Sequence, residues 1–164
     1  MQLRQHAVAV ATIAVTAMMA ILQAQGGNSL SETDRAQIRQ LSARYLETLS
    51  GCAAADYAAL FAPDGYFEST FRGRIEGNDK LIALVMSEPH CQNKTTRQSG
   101  PVPAFDITAT PQGAAARILL GNNVGAYDDV YEKTASGWRF KSRIVLTPQE
   151  LAARQNGTPP AAAR

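Results

Sequence analysis

Between Leu30 and Leu49 the apolar residues Ile38, Leu41, Tyr45, Leu46 and Leu49 recur at helical spacing, and Ser31 stands where an N-cap belongs. Gly51 marks the stop. A second, shorter helix is predicted from about Ala53 to Phe61, with Tyr57, Leu60 and Phe61 on one side; Pro63-Asp64-Gly65 then forces a turn. Tyr66 to Phe71 reads as a strand and Gly73 to Ile75 as its short return. Asn78 or Asp79 caps a third helix that carries Leu81, Ile82, Val85 and Met86 and ends before Pro89. A polar loop follows, from His90 to Gly100. Beyond it the period changes: strands are predicted near Val102 to Thr108 and Ala114 to Leu120, on either side of a Thr110-Pro111-Gln112-Gly113 turn.

The stretch from Tyr127 to Leu146 is the most informative. Two runs rich in Val, Tyr, Phe, Ile and Trp flank Thr134-Ala135-Ser136-Gly137, a strong hairpin signal. With Thr134 opposite Gly137, Glu132 lies across from Arg139 and Asp128 across from Arg143, two opposite-charge pairs on one face. The other face then carries Tyr127, Asp129, Tyr131, Trp138, Phe140, Ser142 and Ile144. That face is apolar and aromatic apart from one carboxylate. A buried Asp must be hydrogen-bonded, paired, protonated or facing a cavity, so Asp129 is either a structural anchor or part of a pocket.

Helices first and long antiparallel strands last make an α+β organisation. Ahead of it, Arg4 and the apolar run Ala7 to Leu22, too short to span a bilayer comfortably, read as a secretory signal peptide with cleavage expected after Ala24. The run also permits an uncleaved anchor. The expected division is therefore a signal peptide over residues 1–24, a flexible lead over 25–29, one domain over 30–151 and a disordered tail over 152–164. The expected location is periplasmic or secreted, with no stable membrane span after cleavage. Without Arg4, the 16 Lys and Arg become 15 against 14 Asp and Glu, a net charge of +1 with no basic stripe, which argues against a nucleic-acid partner. In an oxidising compartment the two cysteines, Cys52 and Cys91, favour a disulfide over two buried thiols. Cys52, His90 and Cys91 lack a fourth ligand and standard spacing, so no metal site is expected. No phosphate loop, Ser–His–Asp signature or dinucleotide fingerprint is present, and no cofactor is expected.

Several features together resemble a known family. They are Arg44-Tyr45 on the first helix, Tyr57-Ala58-Ala59-Leu60-Phe61-Ala62-Pro63-Asp64-Gly65 before a strand, the Gly73-x-x-x-Gly77 approach to the third helix, and Asp129 through Gly137-Trp138-Arg139-Phe140 to Arg143. In this order and spacing they resemble a SnoaL-like domain, a branch of the nuclear transport factor 2-like superfamily, over about Leu30 to Leu146. The resemblance implies a cone-shaped barrel, with a curved antiparallel sheet wrapped around three N-terminal helices and an apolar pocket inside. It also implies homodimerisation through the outer sheet, common in the family. Catalytic members place an Asp at the end of the first helix and often a His on the strand after the third. Here those positions hold Ser50 and, between Gly100 and Ile107, no His; His90 is the only histidine after the expected cleavage site.

Within such a pocket, Tyr45, Tyr57, Phe61 and Phe67 from the first half of the chain and Tyr127, Asp129, Tyr131, Trp138 and Phe140 from the hairpin are candidate lining residues. Asp129 is the candidate general base and Tyr45 a candidate hydrogen-bond donor to an enolate. The leading expectation is an exported domain whose pocket binds a hydrophobic small molecule, without established catalysis. The alternatives are a lyase or isomerase of the polyketide cyclase/dehydratase kind using Asp129, and a dimerising interaction module.

Overall fold

The structure, a computed structural model, describes residues 29–95, 97–122 and 124–156. The expected signal peptide and the last eight residues of the expected tail lie outside them. The elements run α1 (Glu32–Ser50), α2 (Ala54–Ala58), β1 (Phe61–Ser69), β2 (Gly73–Glu76), α3 (Asn78–Met86), α4 (Pro89–Gln92), β3 (Ile107–Thr110), β4 (Gly113–Leu120), β5 (Gly125–Thr134), β6 (Gly137–Leu146) and α5 (Pro148–Gln155). The strands form one curved, unclosed sheet in the order β2-β1-β6-β5-β4-β3. The α+β architecture is as expected, but the helices do not all precede the sheet: α3 and α4 follow β2, and α5 closes the described chain past Leu151.

Helix α1 starts at Ser31, where a capping box closes: Ser31 Oγ accepts from the Asp34 amide at 3.1 Å, and Asp34 accepts from the Ser31 amide at 3.2 Å. Its apolar stripe, Ile38, Leu41 and Tyr45, is buried against the concave face of the sheet with Tyr131 and Phe140. The second helix stops earlier than its apolar residues suggest. The Leu60 carbonyl accepts a hydrogen bond from the Phe140 amide at 2.9 Å, and so pulls the chain into β1.

The sheet is not purely antiparallel. β1 pairs with β2 antiparallel and with β6 parallel, because β6 returns beside β1 after β3, β4 and β5 have built the other half of the sheet. The expected turn at Pro63-Asp64-Gly65 is instead a wide irregularity inside β1: Phe61 faces Phe140, and the next paired residue, Tyr66, faces Ser142. Gly65 is required there, since a Cβ would lie 2.4 Å from the Phe140 carbonyl oxygen. The strand expected from Val102 begins only at Ile107. Pro101 and Pro103 have no amide hydrogen to give a ladder, which keeps residues 100–106 out of the sheet.

The hairpin departs from its expected register at one point. Thr134 faces Gly137 and Glu132 faces Arg139, as read from the sequence. A bulge then intervenes: Tyr131 faces Phe140 while Val130 faces Ser142, leaving Lys141 unpaired in the ladder. Beyond it every side chain of β6 changes face relative to strict alternation. Asp129, not Asp128, lies opposite Arg143; Ser142 and Ile144 join Val130 and Asp128 on the outer face. Asp128 pairs with Arg117 of β4 at 3.1 Å and with Arg154 of α5, while Glu132 finds Lys141 at 3.5 Å.

Candidate functional site

The bulge delivers Arg143 into the interior. Arg143 and Asp129 are each 1 % exposed. Arg143 Nε donates to Asp129 Oδ1 at 2.9 Å and Nη2 donates to Oδ2 at 2.6 Å, a two-pronged ion pair. The Tyr131 hydroxyl donates to Oδ2 at 2.7 Å, and Arg143 Nη2 also reaches Ser42 Oγ at 3.3 Å. The guanidinium carbon lies 4.1 Å from the ring centre of Tyr45 and 4.3 Å from those of Tyr127 and Phe140. Burial works against the charge on Arg143, but the adjacent Asp129 carboxylate more than offsets it, and the net shift is upward. Burial also raises the pKa of Tyr45, Tyr127 and Tyr131, which keeps these phenols neutral at ordinary pH.

Asp129 is thus both hydrogen-bonded and paired in the structure. Two guanidinium donors and a phenol occupy its oxygens, and it does not reach the wall of a cavity. As a general base it would first have to leave all three donors. Tyr45 is packed against Tyr57, Tyr127 and Phe140, with ring centres 5.2 to 5.9 Å apart. Of the other candidate pocket residues, Tyr57, Phe61, Phe67, Tyr131, Trp138 and Phe140 are core. Trp138 uses its indole Nε1 to bond Asp34 at 2.9 Å, and Phe61 also borders an open groove on the far side. Only Tyr127 of the nine lines the cavity beside Arg143.

That cavity has a volume of about 150 Å³. One wall is α1, through Ser42 and Leu46, and another is the sheet, through Ile118, Leu120, Tyr127 and Arg143. Residues 100–103 close the remaining side with Pro101, Val102 and Pro103. Most of these residues escape a reading of the sequence. Arg143 was assigned outward because a bulge has no letter of its own. One signal was present: an inward carboxylate needs a partner, and a single-residue slip in β6 brings an arginine opposite it.

Cys52 and Cys91 form a disulfide, with Cα atoms 5.6 Å apart, joining the end of α1 to α4. His90 donates from Nε2 to the Leu49 carbonyl at 3.0 Å, and the same nitrogen lies 3.3 Å from Cys91 Sγ. The three residues converge as a metal-binding group would, but both sulfurs are spent on each other.

A family model described as a SnoaL-like domain matches residues 31–144. The chain belongs to the SnoaL-like domain family. Solved structures agree on the fold of this SnoaL-like domain. An NTF2-like protein with a cystatin-like fold from Novosphingobium aromaticivorans is similar at 22 % identity and a TM-score of 0.59, over 88 % of this chain and 97 % of that one. A Catenulispora acidiphila protein in complex with S-DNPA is similar at 20 % identity and a TM-score of 0.57, over 69 % and 92 %. ActVI-ORFA from Streptomyces coelicolor is similar at 16 % identity and a TM-score of 0.51, over 68 % and 94 %. No match is found among curated proteins. Among the described residues of this SnoaL-like domain, no helix is long and apolar enough to cross a membrane.

Proposed function

We propose that this SnoaL-like domain is an exported binding protein for a small, largely apolar molecule, held in the cavity between α1, the sheet and residues 100–103. The observation that carries this reading is the cavity itself: about 150 Å³, walled by Leu46, Val102, Ile118, Leu120 and Tyr127, with Arg143 and Ser42 as its polar corner. A cavity of this size suits one ring, as an apolar hole of about 150 Å³ takes up benzene, whereas drug-sized ligands occupy roughly 300–1,000 Å³. A four-ring steroid or polyketide does not fit without displacement of residues 100–103. The complex of the Catenulispora acidiphila protein with S-DNPA is a precedent for a small molecule on this fold.

Binding without catalysis is favoured over the lyase or isomerase reading because Asp129 is committed to Arg143 and Tyr131. The apolar run at residues 7–22 and the disulfide support export. Homodimerisation through the outer sheet belongs to the same proposal. Native mass spectrometry of the protein purified from its own host tests both parts: a retained mass below about 200 Da and a dimer mass are the expected peaks for a ring-sized guest. An apolar dye should also be excluded by Val102→Trp, which fills the cavity. Ligand-free protein whose dye uptake is the same in wild type and Val102→Trp would sink the binding reading.

A further inference from the structure

We propose that Arg143 is the recognition group of this cavity, its Nη1 donating to the carbonyl oxygen of an uncharged guest about one ring in size, with Asp129 holding the guanidinium in place. The inference rests on the ligand-binding reading and names the chemistry of the guest.

A guanidinium carries five N–H donors in a rigid plane. In Arg143, Nε and Nη2 are spent on Asp129 and Ser42, while Nη1 is fully buried and finds no acceptor among the described residues. The plane is not free to turn. Its Nε–Nη2 edge is clamped by Asp129, and the rings of Tyr45, Tyr127 and Phe140 lie within 4.3 Å of its carbon. Nη1 therefore has a fixed direction, away from Asp129, and Arg143 forms part of the cavity wall. A buried donor without an acceptor is costly, more so on a charged group, and a guest oxygen relieves that cost. Around this corner the wall is almost entirely apolar, so the guest is an apolar body with one acceptor.

Charge selects between acceptors. Asp129 already compensates Arg143, and the phenols of Tyr45, Tyr127 and Tyr131 stay neutral, so the polar wall has no net charge. A carboxylate guest would bury a net negative charge there; a ketone, ester or amide oxygen would not. Arg97, whose charge acts on Tyr127, is exposed and screened by solvent.

The test uses cyclohexanone, its hydrocarbon isostere methylenecyclohexane, and cyclohexanecarboxylate. Because water solvates the ketone better than the alkene, the readout is the change in preference between proteins. Arg143→Lys keeps a cation beside Asp129 and removes the outward donor. The ketone-over-alkene preference is expected to fall about tenfold in this variant, the share of a charge-assisted hydrogen bond. In the wild type, ¹⁵N spectra of the arginine side chains read the same contact without a variant: cyclohexanone shifts the Arg143 signals and methylenecyclohexane does not. A preference unchanged within about twofold, or ketone binding that leaves those signals in place, overturns the role of Arg143 while leaving the binding reading intact. Carboxylate binding tighter than ketone overturns the charge assignment. If none of the three probes binds, both readings fall.

Discussion

Asp129 and Arg143 place a complete ion pair, with each residue 1 % exposed, in the middle of an otherwise aromatic core. Such a pair contributes little net stability compared with well-packed apolar residues, but removing one member leaves the other charged, buried and alone. Arg143→Ala is expected to lower unfolding stability by about 3–5 kcal/mol, read from the urea midpoint. The double variant Asp129→Leu with Arg143→Met should lose less than Arg143→Ala alone. A double variant weaker than the single would contradict this account of the pair. A second residue argues the opposite way. The Tyr57 hydroxyl is buried and has no hydrogen-bond partner among the described residues; the Tyr45 hydroxyl is near enough to affect its ionisation but not in hydrogen-bonding geometry. Tyr57→Phe removes an unsatisfied group and should stabilise the protein by about 1 kcal/mol in the same titration.

At the scale of elements, Asp34 ties the start of α1 to the hairpin. It accepts from Lys133 Nζ at 2.7 Å and from Trp138 Nε1 at 2.9 Å, besides closing the cap with Ser31. The hydrogen bond from Lys133 is the largest influence on its carboxyl, followed by those from Ser31 and Trp138, and together they hold it below the usual Asp range. A carboxyl whose folded pKa is depressed contributes stability that is present above its unfolded pKa, ordinarily about 3.9, and is lost as pH falls further. Thermal melts from pH 6 down to pH 2 should therefore decline less steeply in Asp34→Asn, which starts from a lower stability at pH 6. Parallel curves would show that Asp34 does not contribute to the acid limb. The Ser31 cap, the stripe of α1 and the turn Thr134–Gly137 were legible because each is local, set by residues within a few positions. The face of Arg143 was not legible, since a bulge arises from how β6 meets both β5 and β1. The parallel β1–β6 pairing was hidden for a related reason: its partners lie more than 70 positions apart, with no turn between them to announce the direction. Of the aromatic residues that the resemblance suggested as pocket lining, Tyr127 borders the cavity beside Arg143, and the others lie in the core.

Across the whole molecule, the disulfide links two helices that the hydrogen-bonded sheet does not. Cys52 and Cys91 are 39 positions apart, and closing a loop of that length stabilises a chain by about 4 kcal/mol in the chain-entropy model. Cys52→Ser with Cys91→Ser should lower the unfolding free energy by up to that amount; thiol titration of the denatured, unreduced wild type should find no free sulfhydryl. Two reactive thiols would contradict the bond. The cavity's third side depends on residues 100–103, which lie outside the sheet and carry no regular hydrogen-bond ladder. Access to the interior is therefore set by the least constrained wall, while the guanidinium inside is among the most constrained groups of the protein.

The unpaired Lys141 also bears on how relatives of this chain are compared. Deleting one residue between the Gly137 turn and Arg143 would remove the bulge and leave the arginine inward opposite Asp129, whereas a strand of the present length without the bulge would turn it out to solvent and bring Ser142 and Ile144 inward. Two homologues with near-identical strands can thus differ in whether their interior holds a cation at all. The distance in residues from the turn to the arginine, taken together with whether the strand is bulged, sorts them into those two groups better than the arginine itself.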